Sequence, residues 1–584
     1  MRRTKIVCTL GPASEDGEIL GLMLRAGMDV ARFNFSHGTK EEHLKMINTL
    51  RKVSLQTGKK AAVMLDTKGP ELRVGKFSGG KVMLGEGQLV TLVKGTFSES
   101  GSVIPVNYTG LSKKLRMEDT VLLDDGLISL RVEQIREKTV HCTVIDAGVL
   151  LDHKSVTIPG VDLGMPALTE EDREDILFGI RNGIDFVAAS FIKNAADILD
   201  IRAFLEENNG TDVQIIAKIE SRTGVNNIDA ILQVADGIMV ARGDLGVEMA
   251  PEEVPLVQKE LINKCNSAGK PVITATHMLD SMVRNPRPTR AEASDVANAI
   301  LDGSDAIMLS GETAVGKYPV ESVSTMARMA QRTEEALPYR DLLAMKRVGP
   351  YRTITDAISH ASCTIAMDLK VNAVLTPTVS GSTARMVSKY RPEAPIIALS
   401  SKKSTLYQLS VVWGVTPVEV PPLEGTDEMF RVGIDTCLEK GLIHHGDLVV
   451  LTAGVPIGVP GTTNLIKVQI VGDVLVRGTP VGRLIAGGKA RVALLPEEAQ
   501  EKMETGDVLV APATDKDYMP ALRKASAVVV EEGGLSSHAA ITGLNLGIPV
   551  IVGAHGAVKK IIDGELITVD GTTGTVYKGI TRRP

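Results

Sequence analysis

The chain has 584 residues, 43% hydrophobic and 23% charged, with a formal net charge of −6. The acidic balance argues against a nucleic-acid surface, and 3% aromatics with a single Trp argue against a stacking platform for bases. No apolar run approaches the ~18 residues of a membrane span, and five scattered cysteines without a CxxC suit a reducing, cytoplasmic setting.

The length suggests roughly four domains. The opening MRR leads into KIVCTLGP, which turns at Gly-Pro after one strand's length, so it reads as a strand rather than a secretory leader. Short apolar runs then alternate with amphipathic stretches closed by Gly. KIVCTL, DVARFNFS, AAVMLDT, DFVAASF, VQIIAKIE, GIMVARGD, PVITATHM and DAIMLSGE read as strands. Stretches such as TKEEHLKMINTLRKVSLQTG carry apolar residues three and four apart and read as helices. The alternation predicts an α/β fold, a (β/α)8 TIM barrel over 1–69 and 162–344.

Residues 70–161 break this rhythm and are far too many for a loop. Their short alternating runs, divided by Gly and Asp, predict an inserted small β-barrel acting as a lid at the barrel's C-terminal face. Residues 345–473 read as a separate α/β domain, and 474–584, with Gly-containing turns and Val runs, as a β-rich C-terminal domain.

Active sites of such barrels form at the C-terminal strand ends. Those ends carry Arg32, Asn34, Ser36 and His37; Asp66, Thr67, Lys68, Glu71 and Arg73; Lys218 and Glu220; Arg242, Gly243 and Asp244; Thr274, Thr276 and His277; and Ser310 with Glu312. Lys218 and Glu220 lie two apart and project to one side of a strand. Alone they read equally as an ion pair. A polar set at most of eight ends is harder to explain that way, because each buried charge costs several kcal/mol unless matched. Glu220 and Asp244 are hard oxygen ligands suited to Mg2+ or Mn2+. Arg32, Arg73 and Lys218 add fixed positive charge, and the combination suits phosphoryl transfer. Asn34, Ser36, Asp66 and Thr67 form a weakly charged oxygen set that suits a monovalent cation. The helix start in GDLGVEMAPEEV offers backbone N–H groups to a small anion.

KIVCTLGPAS, GMDVARFNFSHG, LDTKGPELRVG, IIAKIES, MVARGDLGVE, ATHMLDSM and IMLSGETAVGKYP together resemble the pyruvate kinase family, in order and spacing, over residues 1 to 473. The resemblance implies transfer of the phosphoryl group of phosphoenolpyruvate to ADP, giving pyruvate and ATP. It implies Lys218, Arg32 and Thr276 as catalytic residues, with Arg32, Gly243, Asp244 and Thr276 binding substrate. It implies Mg2+ (or Mn2+) at Glu220 and Asp244, and K+ at Asn34, Ser36, Asp66 and Thr67. Asn34, His37, Arg73 and Lys154 would seat the nucleotide. A homotetramer is implied, without nucleic-acid or membrane partners. Glu71 in GPELR fits K+ dependence, since some members carry Lys there and need no K+. Thr223 stands where Gln or Glu is commoner, with no loss of activity expected.

In LTPTVSGSTARM, a strand, a hydroxyl-rich turn and a helix start read as a phosphate cradle of Thr378, Ser380, Gly381, Ser382 and Thr383, or as an ordinary capped helix. In the family this loop holds a phosphorylated allosteric effector. The later loop TAGVPIGVPGTTN has no Arg, Lys or Trp, so a monophosphate effector, a sugar phosphate or AMP, is expected. EEGGLSSHAAITGLNLGIPVIVG is similar to the phosphohistidine domain of phosphoenolpyruvate synthase and pyruvate phosphate dikinase, with His538 at the phosphocarrier position. Either His538 carries phosphate, as in a dikinase, or the domain is a retained fold with a structural or regulatory task, the reading preferred here because no partner to phosphorylate it from ATP is visible.

Overall fold

The computed structural model describes residues 2–346, 353–422, 425–456 and 461–580. Eight parallel strands, Lys5–Thr9, Val30–Asn34, Ala62–Asp66, Phe186–Ala189, Gln214–Ile219, Gly237–Ala241, Val272–Ala275 and Ala306–Leu309, pair in chain order. The first closes onto the last through Lys5↔Ala306 and Cys8↔Leu309. These are the eight runs read from the sequence. Their near-continuous apolar character follows from burial on both faces, by helices outside and packed side chains within.

Helix starts are equally local. Lys40–Thr57, Glu170–Arg181, Ala195–Glu207 and Arg290–Leu301 each begin with a reciprocal capping box, at Thr39/Glu42, Thr169/Asp172, Asn194/Asp197 and Thr289/Glu292. Each box satisfies two backbone N–H groups that the helix itself leaves orphaned.

Between the third strand and the helix Glu170–Arg181 lies a β domain with its own core, including Leu84, Leu92, Leu123 and Leu130. Six strands pair in the order Val156–Thr157, Thr120–Leu123, Ile128–Ile135, Thr139–Asp146, Leu89–Lys94 and Val103–Val106. The two edges meet through residues 73 and 74, where Arg73 bridges Ser155 and Val74 bridges Val106. That contact gives the sheet its barrel character.

The chain forms two units, Met1–Pro338 with Ser404–Val415, and Tyr339–Lys403 with Thr416–Pro584. The stretch Ser404–Val415, read from sequence as part of the α/β domain, thus belongs with the barrel. Gln408 donates to the Asp212 carbonyl, Trp413 N–H to Asp305 at 3.2 Å, and Gly414 N–H to the Arg3 carbonyl. In the second unit, Ile396–Ser400, Ala373–Pro377 and Leu448–Gly454 run parallel, and Thr463–Ile470 adds an antiparallel edge. The C-terminal part is an eight-stranded mixed sheet. Its strands Ile485–Val492, Val508–Ala511, Ala527–Val530 and Val550–Val552 are parallel neighbours. Helices such as Pro496–Lys502 and His538–Leu546 make this part more α/β than Val runs alone suggest. Among the described residues no helix is long and apolar enough to cross a membrane.

Candidate active site

The C-terminal ends of the barrel strands bring four charged groups, Arg32, Asp66, Lys218 and Glu220, into contact, with Asp244 close enough to feel their charge. Asp66, at the end of the third strand, is buried. One of its oxygens takes Arg32 Nε at 2.6 Å and the other takes Lys218 Nζ at 3.1 Å. Lys218 Nζ also lies 2.9 Å from Glu220 Oε1 and donates to Ser190 Oγ at 2.7 Å. Arg32 donates in addition to Thr9 Oγ1 at 2.8 Å.

Burial and neighbouring charges pull these groups in different directions. Burial works against the Asp66 charge, but Arg32 and Lys218 outweigh it and hold the carboxyl below its usual range. Burial also works against the Lys218 ammonium, while Asp66 and Glu220 more than compensate, so its pKa is raised. Asp244 behaves oppositely. Burial, reinforced by the Glu220 charge, pushes it up to about 7.

The cluster therefore sets two cations, Arg32 and Lys218, against three carboxylates, Asp66, Glu220 and Asp244. The uncompensated carboxylate is a fit to a divalent ion. Among the described residues no group of three or more His, Cys, Asp or Glu side chains is placed to hold a metal. A pair of carboxylates suits Mg2+, which keeps several positions for water and substrate oxygens. Phe191 N–H donates to Glu220 Oε2 at 2.6 Å and fixes one member of that pair. Both carboxylates line a cleft of about 140 Å³, shared with Glu71, Asp125 and Thr157 of the inserted domain.

Beside the cluster, Asn34 and Asp66 are register partners on the second and third strands. The Asn34 carboxamide oxygen accepts from Ser36 N–H at 3.1 Å, and Thr67 follows Asp66 directly. The four residues expected at the K+ site thus come from two adjacent strand ends. Neutral oxygens, plus one carboxylate already shared by two cations, fit an ion of low charge.

At the opposite side of the mouth, Gly243 N–H donates to Thr276 Oγ1 at 2.8 Å. Gly243 and Asp244 lie in the first turn of the helix Arg242–Glu248. The other expected nucleotide residues stand apart. His37 is exposed on the turn after the second strand. Arg73 pairs with Glu71 at 2.7 Å, and Lys154 with Asp124 at 2.8 Å. Among the described residues no hydrogen bond or ion pair joins Arg73 or Lys154 to the Asn34–His37 turn.

Two charged strand-end residues serve the scaffold. Glu312 accepts from Leu279 N–H and Ser310 N–H. Arg242 pairs with Asp295 at 2.7 Å and donates to the Ala275 and Thr276 carbonyls. Sequence reasoning took nothing from the fourth strand, yet Ser190 at its end touches Lys218. Its signal was a lone hydroxyl after an apolar run, DFVAAS, in line with the other strand ends.

In the second unit, Thr378, Ser380, Ser382 and Thr383 line one cavity of about 80 Å³ with Ser400, Ser401, Thr462 and Thr463. Gly381 caps the helix Ser382–Lys389 at φ 77°, a conformation glycine takes without strain. Thr383 Oγ1 lies 2.9 Å from Thr463 Oγ1 and so ties the two loops together. Among the described residues no Lys or Arg lines this cavity. Residues 457–460 of TAGVPIGVPGTTN lie outside the described residues. His538 begins the helix His538–Leu546, with Nδ1 3.1 Å from Thr514 Oγ1 and Nε2 3.5 Å from Thr542 Oγ1.

Three family models match the chain: pyruvate kinase, barrel domain, over residues 1–323; pyruvate kinase, alpha/beta domain, over 356–469; and PEP-utilising enzyme, mobile domain, over 503–574. A pyruvate kinase of Geobacillus stearothermophilus is 54% identical over 580 residues, covering 99% of each chain. One of Lactobacillus delbrueckii subsp. bulgaricus is 49% identical over 584 residues, again covering 99% of each. A crystal structure of a pyruvate kinase from Cryptosporidium parvum superposes with a TM-score of 0.76 at 37% identity, covering 80% of this chain and 96% of that one. With relatives matching from end to end and a barrel that carries the expected strand-end residues, the chain belongs to the pyruvate kinase family.

Proposed function

We propose that the barrel moves the phosphoryl group of phosphoenolpyruvate directly to ADP. The observation that carries this reading is the Lys218 ammonium, held protonated between Asp66 and Glu220 at the barrel mouth. A fixed cation there meets the charge that develops on the phosphoryl group and on the enolate left behind, with no reorganisation at the moment of transfer. Arg32, oriented by Asp66 and Thr9, adds a second fixed cation for the phosphate. Glu220 and Asp244 would hold Mg2+ or Mn2+, which would supply divalent positive charge to the reaction. Asn34, Ser36, Asp66 and Thr67 would hold K+, which would supply a weaker positive charge. Thr276 faces the carbon that takes a proton, and Gly243 and Asp244 bound the substrate. Asn34, His37, Arg73 and Lys154 seat the nucleotide.

The hydroxyl-lined cavity of the second unit binds a phosphorylated effector with one phosphate, a sugar monophosphate or AMP. Among the described residues no Lys or Arg lines it, which disfavours a bisphosphate. The working assembly is a homotetramer in the cytoplasm. His538 has hydroxyls at both ring nitrogens, which supports a retained structural or regulatory domain.

The test is pyruvate release from phosphoenolpyruvate with Mg2+, K+ and ADP, for the parent and His538→Ala. Equal rates place the chemistry in the barrel. Loss of the rate in a folded variant makes His538 a carrier, and no pyruvate from either protein overturns the proposal.

A further inference from the structure

Ser190 is 3% exposed and sits at the end of the fourth barrel strand. Its hydroxyl donates to the Thr67 carbonyl at 2.6 Å and accepts from Lys218 Nζ at 2.7 Å. The direction follows from chemistry and distance: an ammonium only donates, so the single hydroxyl proton goes to an acceptor, and the Thr67 carbonyl at 2.6 Å lies far nearer than Asp66 Oδ1 at 3.5 Å. The backbone around it is equally tied. Ser190 N–H donates to Thr67 Oγ1 at 3.1 Å, and Thr67 N–H to the Ala188 carbonyl at 3.1 Å. The next residue, Phe191, holds a left-handed φ of 56° while its N–H grips Glu220. Strain of that kind persists only where the surroundings over-determine it.

We propose that Ser190 is a positioning residue through which the monovalent-cation site sets the placement of the Lys218 ammonium. The inference rests on the cation reading given above. A carbonyl oxygen has two lone pairs. In the Thr67 carbonyl one is taken by Ser190, and the other is left for the cation. A cation that draws this carbonyl into its shell fixes the hydroxyl bonded to it, and so fixes one of three acceptors around Lys218. The other two, Asp66 and Glu220, are carboxylates and keep the ammonium charged without Ser190. Ser190 therefore governs where the charge sits, not whether it exists.

The experiment compares the parent with Ser190→Ala, measuring kcat and KM for phosphoenolpyruvate in K+ and in tetramethylammonium at equal ionic strength, across pH 6 to 9. Misplacing a reacting group by about 1 Å costs on the order of 100-fold. The expected result is a kcat in K+ lower by roughly 10- to 100-fold, with KM changed by less than about threefold and an unchanged pH profile. The ratio of rates in K+ and tetramethylammonium should fall to about a fifth of the parent's or less, since part of the K+ effect passes through the deleted hydroxyl. Ser190→Cys, which keeps a weak donor, should recover part of that ratio and serves if Ser190→Ala does not fold. A variant with the parent's K+ ratio, or a loss confined to KM, overturns the coupling while the cation reading stands. A parent indifferent to K+ overturns the cation reading, and the coupling with it.

Discussion

The Thr276 hydroxyl accepts from Gly243 N–H at 2.8 Å and donates to the Ala275 carbonyl at 2.7 Å. Thr276 and His277 hold φ angles of 68° and 54°, a region that a β-branched residue enters at a cost. The local strain is retained where the hydroxyl joins the end of the seventh strand to the first turn of the helix Arg242–Glu248. Thr276→Val keeps the shape and removes the hydroxyl. It should lower kcat by about 10²- to 10⁴-fold, and Thr276→Ser should keep most of it. Exchange of the pyruvate methyl hydrogens with solvent should slow in parallel. Undiminished exchange in Thr276→Val would remove Thr276 from the proton-transfer step.

Lys218→Met deletes the fixed cation and should cost about 10³-fold or more in kcat. It also takes the Lys218 charge away from the Asp66 and Asp244 carboxyls, which raises both folded-state pKa values. A carboxyl raised in the folded state is more stable protonated, so stability is lost as pH rises. The melting temperature of the variant should therefore fall further below the parent's at pH 8 than at pH 5. A gap independent of pH would contradict the charge arrangement.

Asp185, just before the fourth strand, offers a cleaner linkage test away from the site. Burial pushes its carboxyl up to about 7, although it accepts from Val63 N–H at 2.8 Å. The raised pKa means that its contribution is fully present below about pH 4 and is lost as pH rises through 7. Asp185→Asn keeps an acceptor and cannot ionise. Its stability relative to the parent should improve by about 2–3 kcal/mol between pH 5 and pH 8. Denaturant titrations at the two pH values read this directly, and a constant difference would show that Asp185 is not held protonated.

In the second unit, Ser380→Ala combined with Ser382→Ala removes two hydroxyls from the cavity at the start of Ser382–Lys389. The half-saturating concentration of AMP or of a sugar monophosphate as activator should rise by about tenfold or more, since each lost bond to a charged ligand is worth ~1.5–3 kcal/mol. Strong activation by fructose 1,6-bisphosphate with none by monophosphates would refute the effector reading.

The sequence by itself determined the barrel and the identity of most candidate site residues. Short continuous apolar runs, helical spacing and capping boxes such as Thr39/Glu42 are local signals, complete within a few residues. Parallel topology does the rest, because eight strands running one way place Arg32, Asp66, Lys218, Glu220 and Asp244 at one mouth. Only the tertiary structure decided which strand-end residues face one another. Glu312 and Arg242 look as chemical in sequence as Glu220 and Lys218, yet they are spent on backbone N–H groups, carbonyls and Asp295. Ser190 carries no charge to draw the eye, yet it bonds Lys218 and Thr67 at once. The stretch Ser404–Val415 likewise reads as one more part of the α/β domain, until Trp413 and Gly414 bond to Asp305 and Arg3. The reason is common to all three. A hydrogen bond between residues far apart in the chain depends on register and rotamer across neighbouring elements, and no local period encodes that.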